Sequence, residues 1–243
     1  MRLMMIFEYG SEYAGEYLSE FISYGETVDS ILLIGNSVDS QRHELVRQRT
    51  NGHYQVIDLL EVLQDHFIPV YFVDDINSAW CENTIRNSKV DLIVYGGAKL
   101  IKRPIFDIPK YGILNAHKGL VQQYRGCSAV EWALLNDDPV GVTAHLIDEG
   151  IDTGPVVWQE TLWVEPGDSY QLIYSKMIKL QAYALRKAVN SIRTNPLDYS
   201  TIQSKGDYYR PMKETTLINQ LSKMLSTRSY SHYCMKNGIK IDL

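Results

Sequence analysis

The sequence predicts an α/β fold: an open, mostly parallel sheet with helices on both faces, continued by a C-terminal extension of antiparallel strands and a long helix. Over residues 1–137, short apolar runs alternate with stretches of helical periodicity, which is typical of βαβ units and a Rossmann-like sheet. Beyond residue 139, two segments of alternating apolar and polar residues favour antiparallel strands at the edge. Apolar residues make up 45% of the 243 residues, which is enough for a sizeable core.

The individual elements follow from periodicity and from turn residues. Apolar runs bounded by turn residues predict strands at residues 3–7, 30–34, 70–73, 90–95 and 112–117, with 54–57 as a further candidate. Apolar residues at helical spacing predict helices at residues 11–24, 59–66, 75–87, 128–136 and 169–194. Residues 37–50 are predicted as a polar helix or a loop, and the residues after 194 as an irregular, tyrosine-rich tail.

Charge and cysteine content exclude several classes of partner. The net charge of −5 and the pI of about 5.7 give no basic field for nucleic acid. The three cysteines are far apart and lack metal-ligand spacing, so we expect a reducing compartment and no metal. The N-terminal apolar run is too short for a signal peptide, and no run approaches the ~18–20 residues of a membrane span. We therefore expect a cytoplasmic protein that binds neither nucleic acid nor membrane.

Two polar residues, Asn115 and His117, end the strand predicted at residues 112–117. Side chains two residues apart on a strand point to the same face, and ligands of open α/β sheets bind at the carboxyl ends of the strands. The pair therefore predicts a site, although such residues can also simply cap the next loop. A carboxylate partner is expected from "DEGIDTGP", where Gly150 and Gly154 permit a tight, left-handed turn, unless this segment is a solvated hairpin.

Residues 91–157 closely resemble the formyltransferases that use 10-formyltetrahydrofolate, and residues 1–165 resemble them loosely. That family includes glycinamide ribonucleotide formyltransferase, methionyl-tRNA formyltransferase and the sugar N-formyltransferases. Several features match together: "VYGG", the Asn-x-His pair, "YRG" at 124–126, "AVEWALLN", "GVTAH" and "DTGP" at 152–155. The combination is specific, whereas any one of these features alone would be weak.

The resemblance implies an enzyme, a one-carbon group transferase that uses 10-formyltetrahydrofolate as cosubstrate and no metal. It implies that Asn115, His117 and Asp152 are catalytic. It also implies a folate site formed by two segments, whose residues are Lys99, Leu100, Ile101, Ile147, Asp148, Glu149, Gly150 and Ile151. By spacing alone, Leu100 and Ile101 would be interpreted as core.

The chemistry of formyl transfer suits these residue types. An acceptor amine attacks the formyl carbon, and Asn115 can donate a hydrogen bond to the oxygen on which negative charge develops. His117 can donate to the same oxygen or accept the proton of the amine, and Asp152 can orient the imidazole. The sequence leaves the two roles of His117 open. His145 is interpreted as structural.

The loop after His117 departs from the pattern of the family, Asn-x-His-Pro-Ser-Leu-Leu-Pro. Lys118, Gly119 and Gln122 stand where Pro, Ser and Pro are common. We interpret Lys118 as a surface lysine, with contact to an anionic acceptor as the alternative.

The resemblance favours a sugar-nucleotide N-formyltransferase that acts on a nucleotide-linked amino deoxysugar, in the biosynthesis of lipopolysaccharide O-antigen. The alternatives are a formyltransferase for glycinamide ribonucleotide or another small amine, a formyltetrahydrofolate hydrolase, and a non-catalytic nucleotide- or folate-binding module. Residues 1–165 are predicted as the catalytic core, and residues 166–243 as an extension for acceptor binding, dimerisation or both. A homodimer through the C-terminal part is expected from the same resemblance.

Residues 204–243 form a basic, aromatic tail. They contain seven Lys or Arg against three Asp or Glu, interleaved with Tyr208, Tyr209, Tyr230 and Tyr233. Such groups can bind a diphosphate and stack on a base. The alternatives are an oligomer surface and tyrosines that pack on the core.

Overall fold

The sheet has seven strands, and its first five strands are parallel. In the computed structural model, which describes residues 1–97, 99–195, 206–212 and 215–243, the strand order is β3-β2-β1-β4-β5-β7-β8. β7 pairs with β5 and β8 pairs with β7, both antiparallel. These strands are β1 Leu3–Glu8, β2 Ser30–Ile34, β3 Val70–Val73, β4 Leu92–Tyr95, β5 Ile113–His117, β7 Gly141–Leu146 and β8 Val156–Thr161. The predicted fold class is confirmed.

Helices cover both faces of the sheet. They are α1 Ala14–Ser23, α2 Ser40–Thr50, α3 Leu59–Gln64, α4 Ala79–Ser88, α5 Ala129–Leu135, α6 Tyr170–Thr194 and α7 Thr215–Ser226. Two hydrophobic cores result, one that includes side chains of α1 and α6 and another that includes side chains of α4. Apart from Glu8 and Ser30 at their ends, the inner strands β1, β2 and β4 consist of buried apolar residues on both faces, as expected for parallel strands covered on both sides.

The long helix α6 ties the extension to the core. Ser169 caps its first turn, since the Ser169 hydroxyl oxygen accepts from the Leu172 N–H at 3.1 Å. The helix packs across β5, β7 and β8 on one side and contacts α1 and α2. Its predicted position is confirmed, and it brings side chains of the extension next to the end of β5. No helix in the described ranges is both long and apolar enough to cross a membrane.

The prediction of a further strand at residues 54–57 is wrong, because this segment forms no strand. Tyr54 is 5% exposed, and its hydroxyl donates to the Glu12 carbonyl oxygen at 3.0 Å. A Cβ atom on Gly15 of α1 would lie 2.1 Å from the Ile57 carbonyl oxygen. Tyr54 is therefore buried by packing next to α1 and not by strand pairing, whereas Val56 of the same segment is 56% exposed.

A small second sheet was not predicted from the sequence. It pairs β6 (Tyr124–Gly126) in parallel with β9 (Asp207–Tyr209). The tail predicted as irregular thus contains a strand and the helix α7 within its described residues. Two of the basic residues that the sequence analysis counted in the tail, Lys205 and Lys213, lie outside the described residues.

Candidate active site

Asn115, His117 and Asp152 converge at the carboxyl end of β5. Asn115 and His117 lie two residues apart on this strand, and Asp152 comes from the turn between β7 and β8. The distance from His117 Nδ1 to Asp152 Oδ2 is 3.4 Å. The fold therefore brings together three groups that are up to 37 positions apart in the sequence.

The turn that carries Asp152 differs from the predicted one. Asp152 itself adopts the left-handed conformation (φ 53°), which Asp tolerates better than most residues, whereas Gly150 and Gly154 do not. Each glycine is needed for space instead. A Cβ atom would lie 2.0 Å from Thr153 Oγ1 at Gly150 and 1.8 Å from the Leu146 carbonyl oxygen at Gly154.

Gly126 and His145 fix the carboxylate of Asp152. The Gly126 N–H, at the end of β6, donates to Asp152 Oδ2 at 2.8 Å. His145 Nε2 lies 3.4 Å from Asp152 Oδ1 and 3.4 Å from Asn115 Nδ2. His145 therefore belongs to the site, and the structural interpretation missed this link. The link could have been found only from the register of β7 on β5, which makes Asn115 and His145 direct cross-strand partners.

The electrostatics of the site keep Asp152 ionised and His117 neutral. Burial opposes the charge of Asp152, but the hydrogen bond with His145, the nearby His117 and the Gly126 N–H outweigh it and lower the pKa of Asp152 to about 2. Burial lowers the pKa of His117 below 6.5, with Asp152 opposing this shift. His117 Nε2 lies 3.0 Å from the Tyr124 carbonyl oxygen, which only accepts, so Nε2 carries the proton. His117 Nδ1 is then the basic nitrogen.

A large cleft of about 690 Å³ opens on one side of these residues. Each residue that the sequence analysis assigned to the folate site lines it: Lys99, Leu100, Ile101, Ile147, Asp148, Glu149, Gly150 and Ile151. Leu100 is 62% exposed, so it is no core residue, whereas Ile101 is 7% exposed. Asn115, His117 and Asp152 line the same cleft.

A second pocket, which we call the polar pocket, lies on the other side and has a volume of about 200 Å³. Asn115 and His117 line this pocket as well as the large cleft. The remaining polar residues of its lining come from α1, α2, α5 and α6, from the residues that precede α1 and α5, and from the residue after β5: Tyr13, Tyr17, Arg42, Arg49, Lys118, Ser128, Glu131, Tyr174 and Gln181. The amide and the imidazole thus lie at the junction of two cavities.

Lys118 is not the surface lysine that we expected. Its Nζ lies 3.3 Å from the Tyr13 hydroxyl oxygen and 4.6 Å and 4.9 Å from the ring centres of Tyr13 and Tyr174. The lysine is held over two aromatic faces at the polar pocket, where a cation is stabilised by the rings. The neighbouring Gly119 packs against the His117 ring, since a Cβ atom there would lie 2.6 Å from Nε2.

The tail tyrosines divide between packing and the large cleft. Tyr230 is 2% exposed, with Tyr233 against its ring, and Tyr209 packs against the ring of Tyr124. These three tyrosines pack on the core, which is one of the alternatives that the sequence left open. Tyr208 is 51% exposed and lines the large cleft. None of the described basic residues after 205 lines the polar pocket. Within the described ranges, no cluster of three or more His, Cys, Asp or Glu is placed to hold a metal ion.

Comparison with known proteins identifies the family. Residues 1–189 match the sequence profile of the formyl transferase family, and the chain therefore belongs to it. A methionyl-tRNA formyltransferase from a Wolbachia strain of Drosophila simulans is 36% identical over 113 residues, which are 46% of this chain and 38% of that protein. The matches cover less than half the length of the first curated relatives.

Two solved structures share the fold. A phosphoribosylglycinamide formyltransferase from Anaplasma phagocytophilum aligns with a TM-score of 0.61 at 19% identity, over 80% of this chain and 88% of that chain. A sugar N-formyltransferase from a Shewanella strain aligns with a TM-score of 0.60 at 15% identity, over 100% of this chain and 93% of that chain. At these identities the likeness concerns the fold alone.

Proposed function

We propose that this protein is an N-formyltransferase that moves the formyl group of 10-formyltetrahydrofolate to the amino group of a nucleotide-linked amino deoxysugar. The observation that carries the proposal is the position of Asn115 and His117, which line two cavities at once. Group transfer between two substrates needs such a junction, because both reacting atoms must meet at the same catalytic groups.

The large cleft is proposed as the folate site. Its volume lies in the range of about 300–1,000 Å³ that is usual for small-molecule sites. Apolar side chains of Leu100, Ile101, Phe106 and Ile147 line it next to charged residues, and this combination fits a heteroaromatic ring system with polar edges. The polar pocket is proposed as the site of the acceptor amine.

The chemistry follows from the protonation states. The amine nitrogen bonds to the formyl carbon, and the bond from that carbon to the folate nitrogen breaks. Asn115 has an amide N–H beyond the one facing His145, and it donates to the oxyanion. Neutral His117 accepts the amine proton at Nδ1, beside Asp152, which stabilises the imidazolium. The proton then passes to the departing folate nitrogen, so atoms and charge balance.

Two observations support the proposal of a sugar nucleotide as acceptor. The fold likeness to the Shewanella sugar N-formyltransferase extends over the whole chain, whereas that to the Anaplasma enzyme covers 80% of it. The polar pocket offers the cation of Lys118, held over two aromatic rings, and buried oxygens, which suit a ligand with an anionic part and hydroxyl or amine donors. A cytoplasmic role in the biosynthesis of lipopolysaccharide O-antigen belongs to this proposal.

The test is incubation with 10-formyltetrahydrofolate and a panel of amines, with the acceptor mass as readout. The panel contains nucleoside diphosphate-linked amino deoxysugars and glycinamide ribonucleotide. We expect the mass of one formyl group to appear on a nucleotide-linked sugar. The rate of this transfer should fall roughly 10²–10⁴-fold in His117→Ala. It should be unchanged in the control His53→Ala, which alters an exposed histidine outside the site. Formylation of glycinamide ribonucleotide alone, or formate release without any acceptor, would contradict the proposal.

The C-terminal part is proposed to form a homodimer. Sedimentation velocity at micromolar concentration should then give twice the chain mass of 27.9 kDa. A single species at the mass of one chain would contradict this part of the proposal.

A further inference from the structure

Two buried oxygen atoms in the polar pocket have no hydrogen-bond partner among the described residues. They are Glu131 Oε2 and Gln181 Oε1, on side chains of residues that are only 1% and 6% exposed. Buried side-chain oxygens in native proteins are almost always satisfied by a donor. Both residues line the same cavity, so their free oxygens point to a ligand that brings donors into it.

Gln181 is oriented by the backbone of the strand that carries the catalytic pair. Its Nε2 donates to the Ala116 carbonyl oxygen at 2.5 Å, and Ala116 lies between Asn115 and His117. A carbonyl accepts only, so this bond determines which end of the amide is the nitrogen. The oxygen end is therefore free for a ligand, next to the two residues that meet the formyl group.

Glu131 keeps one oxygen for a ligand because its other oxygen is already used. The Tyr170 hydroxyl donates to Oε1 at 2.8 Å, and Arg49 Nη2 lies 3.2 Å from the same atom. The buried carboxylate is thus paired with a cation and stays an acceptor. Its Oε2 is a strong acceptor for a hydroxyl or an amine.

A cation marks the same pocket. Lys118 Nζ lies over the rings of Tyr13 and Tyr174, and no carboxylate forms an ion pair with it among the described residues. A ligand with donor groups at one end and an anionic group at the other end would satisfy the two oxygens and this cation together.

We propose that Gln181 and Glu131 determine the specificity for the acceptor by binding its amino sugar. Gln181 Oε1 accepts a hydrogen bond from the reacting amine, and Glu131 Oε2 accepts one from a sugar hydroxyl nearby. The amine is assigned to Gln181 because this side chain is bonded to the backbone between the catalytic residues. The hydrogen bond directs the nitrogen lone pair away from Gln181 towards the formyl carbon. This inference rests on the proposed function.

The experiment measures equilibrium binding without folate, so that it does not depend on activity. The probes are thymidine and uridine diphosphate linked to 4-amino-4,6-dideoxyglucose, and the same nucleotides linked to 6-deoxyglucose, which lacks the amine. Calorimetry compares the unaltered protein with Gln181→Leu, Gln181→Glu, Glu131→Gln and the control Asn190→Leu, on the exposed part of α6.

We expect Gln181→Leu to weaken binding of the amino sugar tenfold or more and binding of the 6-deoxyglucose probe by less than threefold. Gln181→Glu keeps an oxygen acceptor, and its acid form can donate to the Ala116 carbonyl oxygen, so it should stay within about threefold of the unaltered protein. Glu131→Gln should weaken both probes, because both carry hydroxyls, and Asn190→Leu should change neither. Melting curves of each variant establish that it is folded.

Two results would overturn the inference. Unchanged binding in Gln181→Leu would mean that the oxygen faces no ligand. Equal losses in Gln181→Leu and Gln181→Glu would mean that an oxygen acceptor at this position does not determine binding of the amine. If the unaltered protein binds none of the probes, the proposed function fails separately. The same variants are then assayed with whichever amine of the panel is formylated, and a KM raised in Gln181→Leu but not in Gln181→Glu keeps the assignment to Gln181.

Discussion

His117 has two ring nitrogens with different surroundings. Nε2 faces the Tyr124 carbonyl oxygen, and Nδ1 faces the Asp152 carboxylate. A neutral ring protonated at Nε2 presents a basic Nδ1, and the ion formed on protonation lies beside a negative charge. This arrangement favours the role of base over that of a permanently charged donor, the two roles that the sequence leaves open.

The pH dependence of the rate separates the two roles. Burial lowers the pKa of His117 below 6.5. The negative charge of Asp152 opposes this shift, and the positive charge of Lys118 adds to it. A base works when neutral, so kcat/KM should stay level from pH 8 to below 6.5 and fall only at lower pH, through the lowered pKa. A rate that instead falls as the pH rises through 6.5 would show that the cation is the active form.

Asp152→Asn removes the charge and keeps the shape. Asn tolerates the left-handed backbone of residue 152, so the turn should persist. The folded pKa of about 2 lies below the ordinary 3.8, so the charge stabilises the fold above pH 3.8, and this contribution is lost as the pH falls through 2. We expect the variant to lose about 2 kcal/mol of unfolding free energy at pH 7, with the difference vanishing near pH 2. Urea denaturation at several pH values measures this, and a difference independent of pH would contradict it.

Among the elements, those whose sequence pattern is local were predicted well. β2 and β3 are apolar runs between turn residues, and their predicted bounds match the observed ones. β6 is three residues long and pairs with β9, whose residues lie 83 positions further on, so no local pattern reveals it. The role of His145 likewise depends on the register between β5 and β7. The alternation of apolar and polar residues along one strand does not specify that register.

Gly126 at the end of β6 links this strand to the carboxylate. It has φ of +89°, and a Cβ atom would lie 2.5 Å from the Tyr209 carbonyl oxygen. Gly126→Ala should therefore separate β6 from β9, displace the N–H that holds Asp152 and lower both kcat and the melting temperature.

The matched control is Gly25→Ala. Gly25 also has positive φ (+73°), but nothing lies within 4 Å of the added Cβ atom. The strain of a left-handed alanine should lower the free energy of unfolding of this variant by only roughly 1–2 kcal/mol and leave kcat unchanged. Equal kcat values for the two variants would contradict the role given to β6. Kinetics and thermal melts of both proteins measure the difference.

At the scale of the whole molecule, α6 makes the extension part of the core. Side chains along its length, including Ile173, Met177 and Leu185, are 0% exposed and belong to the same hydrophobic core as α1. The division between residues 165 and 166 therefore stays a prediction about function. In packing, the helix is continuous with the sheet that it covers.

Two truncations test this continuity. A chain ending at residue 165 lacks α6 and leaves the face of β5, β7 and β8 uncovered, so it should bind a hydrophobic dye and unfold without a sharp transition. A chain ending at residue 195 keeps α6 and should retain a cooperative thermal transition. Circular dichroism and dye fluorescence follow both, and a cooperative transition in the shorter chain would contradict the account.

The central claim is that Asn115 and His117 join two substrate cavities and transfer a formyl group between them. Single-turnover transfer with a ¹³C-labelled formyl donor and a nucleotide-linked amino sugar tests it most directly. The account predicts that the label appears on the sugar nitrogen at a rate lowered by roughly 10²-fold or more in Asn115→Ala and in His117→Ala, with folate binding within a few-fold of the unaltered protein. Transfer at an undiminished rate in either variant would contradict the claim.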